Sequence, residues 1–154
     1  MMLRRLVLAL VLGALVALAL ALPAVAQTTV GADMATGTDL HAQLTGEQEV
    51  PGPGDPNGFG SATVWTISSN TVCYRLTAQG IAPPNAAHIH VAPPGVSGPV
   101  VLPLQPPTWG SSGGCTNAAP ALVSDLQANP SSYYVNVHNR PYPDGAIRGQ
   151  LHRD

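Results

Sequence analysis

Apolar and polar residues alternate in three short segments of the second half of the chain. The segments are residues 87–91, 134–138 and 146–152. Successive side chains of an extended chain point to opposite faces, so Ile89 lies on one side of the first segment and His88 and His90 lie on the other. The pattern therefore predicts three β-strands, each with one aliphatic face and one polar face.

The second and third segments repeat this arrangement. Val137 opposes Asn136 and His138 in the second segment, and Ile147 opposes Arg148 in the third. The aliphatic sides are expected to line a core that includes Ile89, Val135, Val137 and Ile147. The polar sides would then face outward and share one surface patch, formed by His88, His90, His138, Asn136 and Arg148.

Further strands are predicted between turns rich in proline and glycine, at residues 40–44, 60–68, 71–78 and 99–104. Residues 60–68 and 71–78 are separated by two residues, the length of a β-hairpin loop. Residues 106–118 are predicted as a long loop. Residues 120–128 are predicted as a short helix, because proline suits the first helical turn. Short strands at this spacing, with little helix, predict an antiparallel β-sandwich.

The first 26 residues have the pattern of a signal peptide. Arg4 and Arg5 precede an apolar run over residues 6–22, and Ala-Val-Ala stands just before Gln27. Cleavage is expected before Gln27, which predicts a secreted or periplasmic protein; the alternative is an uncleaved membrane anchor. Residues 27–38 are small and polar, and predict a flexible entry segment before a single domain at residues 39–154.

Composition excludes one class of partner. Removal of 26 of the 154 residues leaves 128, with four of the six arginines, no lysine and all eight acidic residues. Phosphate binding needs clustered cations, so nucleic acid is not expected as a partner. No apolar run of membrane length follows the signal peptide, so no membrane association is expected after cleavage.

The chain has two cysteines, Cys73 and Cys115. In an exported protein an even cysteine count favours a disulfide. This bridge would close a loop of about 40 residues and stabilise the fold by roughly 3 to 4 kcal/mol. Two free thiols, or two soft metal ligands, are the alternatives.

The histidines carry the candidate chemistry. His88 and His90 are two residues apart on one strand face, about 7 Å, so that both rings can bend toward one ion. His138 would supply the third ligand and Asn136 would orient a ring. The ion is expected to be copper and less readily zinc, because imidazole suits both and divalent affinities peak at copper. The alternative is that the histidines are solvent-exposed polar residues of the sheet and bind no metal.

Three charged residues accompany this patch. Arg148 is expected to play a structural part, with its guanidinium holding loop carbonyls or Glu49. Glu47 and Glu49 share a face of an extended segment and form a possible acid pair, expected to be ionised and solvated. No nucleophile elbow, reactive-cysteine signature or phosphate-binding loop is present in the sequence, which favours a protein that is not an enzyme.

Five ordered motifs resemble those of the chordin domain (CHRD) family. They are Leu-Thr-Gly-Glu-Gln-Glu-Val-Pro at 44–51, Ala-His-Ile-His at 87–90, Gly-Pro-Val-Val at 98–101, Tyr-Val-Asn-Val-His at 134–138 and Ile-Arg-Gly-Gln-Leu at 147–151. The match spans residues 39–152 and departs from the family pattern at Ala146, where glutamate is usual. The resemblance implies a β-rich extracellular module, and we expect this module to bind a protein or an extracellular matrix ligand without catalysing a reaction.

His-x-His on a β-sandwich strand is also similar to the copper site of copper-zinc superoxide dismutases, in which Arg148 would correspond to an active-site arginine. This likeness implies Greek-key character and an alternative function as a copper-binding redox protein or carrier. Such enzymes need further histidines and an aspartate to hold zinc. Here only His41 and His152 remain, at opposite ends of the domain sequence.

Overall fold

The computed structural model describes residues 39–154. The predicted signal peptide, its cleavage site and the entry segment lie outside this range. Eight strands are present in the described part: β1 (Leu40–Thr45), β2 (Phe59–Ser68), β3 (Thr71–Gln79), β4 (Pro84–Val91), β5 (Val100–Leu104), β6 (Ser111–Asn117), β7 (Tyr133–Asn139) and β8 (Ile147–Gln150). One α-helix, α1 (Pro120–Ala128), and two short 3-10 turns, Gly46–Gln48 and Pro130–Ser132, complete the elements.

The strands form one antiparallel sheet in the order β5-β4-β7-β8-β1-β2-β3-β6. Its two edges are connected: the Gln105 amide, just after β5, donates to the Tyr74 hydroxyl of β3 at 2.8 Å, and the Ser112 hydroxyl of β6 donates to the Gln105 carbonyl at 2.7 Å. The sheet therefore curls into a near-barrel. The all-β prediction is confirmed, with one continuous sheet in place of two clearly separate layers.

Local patterns located most elements. The hairpin of β2 and β3 and the helix α1 lie where they were predicted, and Pro120 occupies the first helical turn. The long loop predicted at 106–118 was wrong, because β6 pairs with β3 over seven residues. This pairing uses main-chain groups and the Cys73–Cys115 disulfide, which joins two directly opposite residues. The glycine-rich sequence of β6 lacks an apolar alternation that would have revealed it.

The aliphatic faces of the strands form the core, as predicted. Ile89, Val135, Val137 and Ile147 are all completely buried. They pack in one cluster with apolar residues of β1, β2, β3 and α1. The polar residues of the same strands therefore lie on the opposite side of the sheet, called here the outer face.

The assignment of the two faces predicts a contrast between neighbouring residues of β7. Val137→Ala is expected to lower the free energy of unfolding by about 1–3 kcal/mol, because it deletes buried methyl groups. His138→Ala in metal-free protein should cost less, about 1 kcal/mol, since the partly buried ring makes hydrogen bonds of modest net worth and does not pack in the core. Urea unfolding of both variants measures the difference. Equal destabilisation by the two changes would contradict the assignment.

Candidate functional site

Strand register brings the predicted polar residues together on the outer face. Across β4, β7 and β8, His88 pairs with Asn136, and Asn136 pairs with Arg148. In the adjacent row His90 pairs with Tyr134, and Tyr134 with Gln150. His138 lies next to the first row on β7. All five residues predicted for the patch are therefore neighbours on three adjacent strands.

Loops cover this part of the outer face. The segment after β4 lies over it: the Pro93 carbonyl accepts from Arg148 Nη2 at 3.2 Å, and the Ala92 carbonyl accepts from Gln150 Nε2 at 2.9 Å. As a result Asn136 and Arg148 are each only 2% exposed. The expectation of an outward-facing surface patch was wrong for these two residues and for His90, which is 8% exposed, because tertiary packing of the loops removes their face from water.

Three histidine rings converge under this cover. His88 Nδ1 lies 3.1 Å from His138 Nε2. One ring nitrogen of each of His88, His90 and His138 falls within 4.8 Å of the others. Two nitrogens bound to one tetrahedral metal at ~2 Å are about 3.3 Å apart, so small ring rotations suffice for all three to reach one ion. These residues are called the histidine trio.

Main-chain carbonyls set the orientation of two rings of the trio. His90 Nδ1 donates to the Gly98 carbonyl at 2.8 Å, and His138 Nδ1 donates to the Pro143 carbonyl at 3.0 Å. A ring that donates from Nδ1 when neutral has its lone pair on Nε2; that of His138 accepts from His88 Nδ1 at 3.1 Å, a hydrogen bond that a metal ion would replace. His90 Nε2 is buried without a hydrogen-bond partner. Such outer hydrogen bonds are the usual way that proteins hold a metal-binding imidazole in place.

The trio is held in its neutral form. Burial is the main cause that lowers the pKa of His88, His90 and His138 below the usual 6.5. The positive charge that each ring would carry also repels its neighbours, which lowers the pKa of His88 and of His138 further. Neutral imidazole is the form that binds metal ions.

Tyr134 contacts two residues of the site. The guanidinium carbon of Arg148 lies 3.4 Å from the centre of the Tyr134 ring, and the His90 ring stacks on Tyr134 with centroids 4.7 Å apart. The Tyr134 hydroxyl accepts from the Gly98 amide at 3.3 Å. Sequence reasoning missed Tyr134 and Gln150, although both share the strand parity of Asn136 and Arg148. Their contribution is to hold the loop after β4, which Tyr134 contacts at Gly98 and Gln150 contacts at Ala92.

Glu49 departs from its expected state. It is 6% exposed, not solvated, and burial raises its pKa from 4.5 to about 7, although the charge of Arg148 acts in the opposite direction. A side chain at Gly145 would collide with the Glu49 carboxyl group, so the glycine makes room for it. Glu47 is exposed, because the 3-10 turn Gly46–Gln48 breaks the alternation. The two glutamates therefore form no acid pair.

Unpartnered polar atoms are concentrated at this site. In the part of the chain that the structure describes, five buried side-chain nitrogen or oxygen atoms lack a hydrogen-bond partner. Four of them belong here: Glu49 Oε1, His90 Nε2, Asn136 Oδ1 and Arg148 Nη1. Buried polar groups in folded proteins are nearly always paired, so such a cluster indicates a place for a bound ion or water.

Fold and site together define a small, disulfide-bridged, antiparallel β module with a candidate metal centre beneath its loops. The chain belongs to the CHRD domain family, whose family model matches residues 40–151. No curated protein and no solved structure matches the chain significantly. The CHRD domain and the disulfide suggest an extracellular type of protein. Over residues 39–154, no helix is both long and apolar enough to cross a bilayer.

Proposed function

We propose that this CHRD domain is a secreted or periplasmic binding module, not an enzyme, that holds one copper ion on His88, His90 and His138. The observation that carries the proposal is the convergence of three neutral, partly buried imidazoles within 4.8 Å. The unpartnered atoms around them support it. The partner of the module, an extracellular protein or a matrix component, stays a prediction from the family resemblance.

Copper is favoured by the donor set. Three imidazole nitrogens converge without a cysteine or a carboxylate among them, and imidazole-rich sites bind Cu²⁺ more tightly than the other divalent ions of its row. Zinc accepts the same ligands with lower affinity. The Asn136 side-chain oxygen, which is buried and unpartnered on the strand next to His88, would be available as an acceptor for a water in this site.

A copper-binding redox protein or carrier is the second candidate, and the environment of Arg148 disfavours the redox activity. An arginine that attracts an anionic substrate must present its guanidinium to solvent. Here Arg148 is 2% exposed, contacts the Tyr134 ring and donates to the Pro93 carbonyl. These contacts agree with the structural part expected for it and favour binding or carriage of copper over turnover.

Titration of metal-free protein with Cu²⁺ tests the proposal. We expect the protein to bind one copper ion, and we expect this binding to raise the melting temperature by mass action. His88→Ala, His90→Ala and His138→Ala should each abolish the binding. Gln43→Ala is the control: the Gln43 side chain is exposed on the same sheet face, and its removal should leave copper binding unchanged. Calorimetry measures the affinity. Absence of copper binding, or binding unchanged in all three histidine variants, would contradict the proposal.

The affinity of this site is expected to fall in acid. Protons compete with copper for the same nitrogens. Because the folded protein lowers the pKa of each histidine below 6.5, the loss should begin below pH 6.5 and not at neutral pH. Titrations at a series of pH values between about 4 and 8 measure this dependence. An affinity that stays constant over that range would show that imidazoles are not the ligands.

A further inference from the structure

The two histidines outside the trio lie side by side. His41 of β1 and His152, just after β8, form an antiparallel bridge. Each main-chain amide donates to the carbonyl of the other residue, at 2.8 and 2.9 Å. Both residues lie on the outer face, and their ring centroids are 6.5 Å apart. Residues from opposite ends of the domain sequence are thus held together by main-chain bonds that do not depend on their side chains.

One carboxylate lies between the two rings. His41 Nε2 is 3.4 Å from one oxygen of Asp154, and His152 Nε2 is 3.8 Å from the other. These separations exceed a good N–H···O hydrogen bond, which is about 2.7–3.2 Å. They are close to the ~3.3 Å between two ligands of one tetrahedral zinc ion, with Zn–N and Zn–O bonds of about 2.0–2.2 Å. The Asp154 carboxylate is thus shared by two imidazoles, and because it is 78% exposed it can turn so that all three side chains approach one ion.

His152 makes one long main-chain contact, and both rings of the group are open to water. His152 Nδ1 lies 3.4 Å from the Gln150 carbonyl, on the side of the ring away from Asp154. The side chains of His41 and His152 are 33% and 52% exposed, so water can fill the remaining position.

This group is separate from the histidine trio. Gln150 pairs with Tyr134, and Tyr134 pairs with His90. His152 is therefore two strands and two residues away from His90, about 12 Å at ordinary strand spacings. No ligand can be shared between the two groups at that distance. Each must be filled by its own ion.

We infer that His41, His152 and Asp154 form a second metal site, independent of the proposed copper site, that takes Zn²⁺ from solution. Two imidazoles and one carboxylate with an open fourth position are a common ligand set for zinc. Because these side chains are exposed, a bound zinc ion could exchange with solvent, whereas an ion bound by the histidine trio would be covered by loops. The domain would then bind two metal ions, and all five histidines of the chain would act as ligands.

Zinc titration in a background that lacks the trio tests this inference. His88→Ala combined with His138→Ala leaves only one histidine of the trio, which is too few ligands for that site. Zinc that still binds to this double variant is therefore bound at the second site. Calorimetry and native mass spectrometry are expected to find one zinc ion in this background. Adding His41→Ala or His152→Ala should weaken the binding at least tenfold, whereas adding Gln43→Ala should leave it unchanged.

Asp154→Asn provides a milder variant, since it keeps both rings and changes only the carboxylate. A weakening of roughly tenfold is expected, because a neutral amide oxygen is a poorer zinc ligand. Circular dichroism checks that each variant is folded. Absence of zinc in the background variant, or zinc retained without His41 and His152, would overturn the second site. Neither result tests metal binding by the histidine trio. That binding is measured by the difference in metal stoichiometry between wild-type protein and the His88→Ala, His138→Ala variant.

Discussion

Replacing Cys73 and Cys115 together by alanine is expected to lower the free energy of unfolding by roughly 3 to 4 kcal/mol. The disulfide joins residues 42 apart in sequence, and its loss restores the conformational entropy of that loop to the unfolded chain. Alanine is the suitable replacement because the Cys73 side chain is buried. Denaturant unfolding of the variant measures the loss.

Wild-type protein unfolded with a reductant is the control, since it should show nearly the same loss without any substitution. The effect is expected to be largest at β6, an edge strand with two glycines and few side-chain contacts. Amide hydrogen exchange should therefore accelerate in Ser111–Asn117 before the rest of the sheet. Unchanged stability of the alanine variant would show that main-chain pairing with β3 is sufficient to hold β6.

Glu49→Gln is expected to stabilise the protein at pH 8 by about 3 kcal/mol and to change little at pH 4. Burial raises the pKa of Glu49 from 4.5 to about 7. Between these two values the unfolded chain has released the proton and the folded protein still holds it. Stability contributed by the protonated carboxyl is therefore present at low pH and lost as pH rises from 4.5 to 7. A glutamine cannot ionise, so it avoids this loss.

Unfolding of both proteins at several pH values between 4 and 8 measures the difference. The titration of the histidines contributes to both proteins alike and cancels in the comparison. Glu47→Gln is the matched control, because it makes the same chemical change at an exposed side chain two residues away. A Glu49→Gln variant that is less stable than wild type at pH 8 would show that the ionised form, with Arg148, is the preferred one.

Arg148 acts electrostatically on two groups of the proposed metal site. Its positive charge is one of the causes that lower the pKa of His90, and it also acts on Glu49. The site therefore combines a buried arginine and a buried glutamate with the histidine trio.

The sequence by itself determined which side of each strand is apolar, because strand alternation is a local property of the chain. Val135, Val137, Ile89 and Ile147 were assigned to the core from this pattern alone, and all four are buried. The β2–β3 hairpin and the helix α1 were found for the same reason, since two-residue loops and an N-terminal proline act locally. The five family motifs identified the CHRD domain from the sequence as well.

Only the tertiary structure decided which polar groups are removed from water. Burial of Glu49 depends on Gly145, and burial of Arg148 depends on the loop at Pro93, residues that are 96 and 55 positions away in sequence. The pairing of β6 and the meeting of His41 with His152 depend likewise on contacts between distant segments. Alternation along a strand carries no information about such contacts, because they are set by the way the sheet curls and by the loops that then cover it.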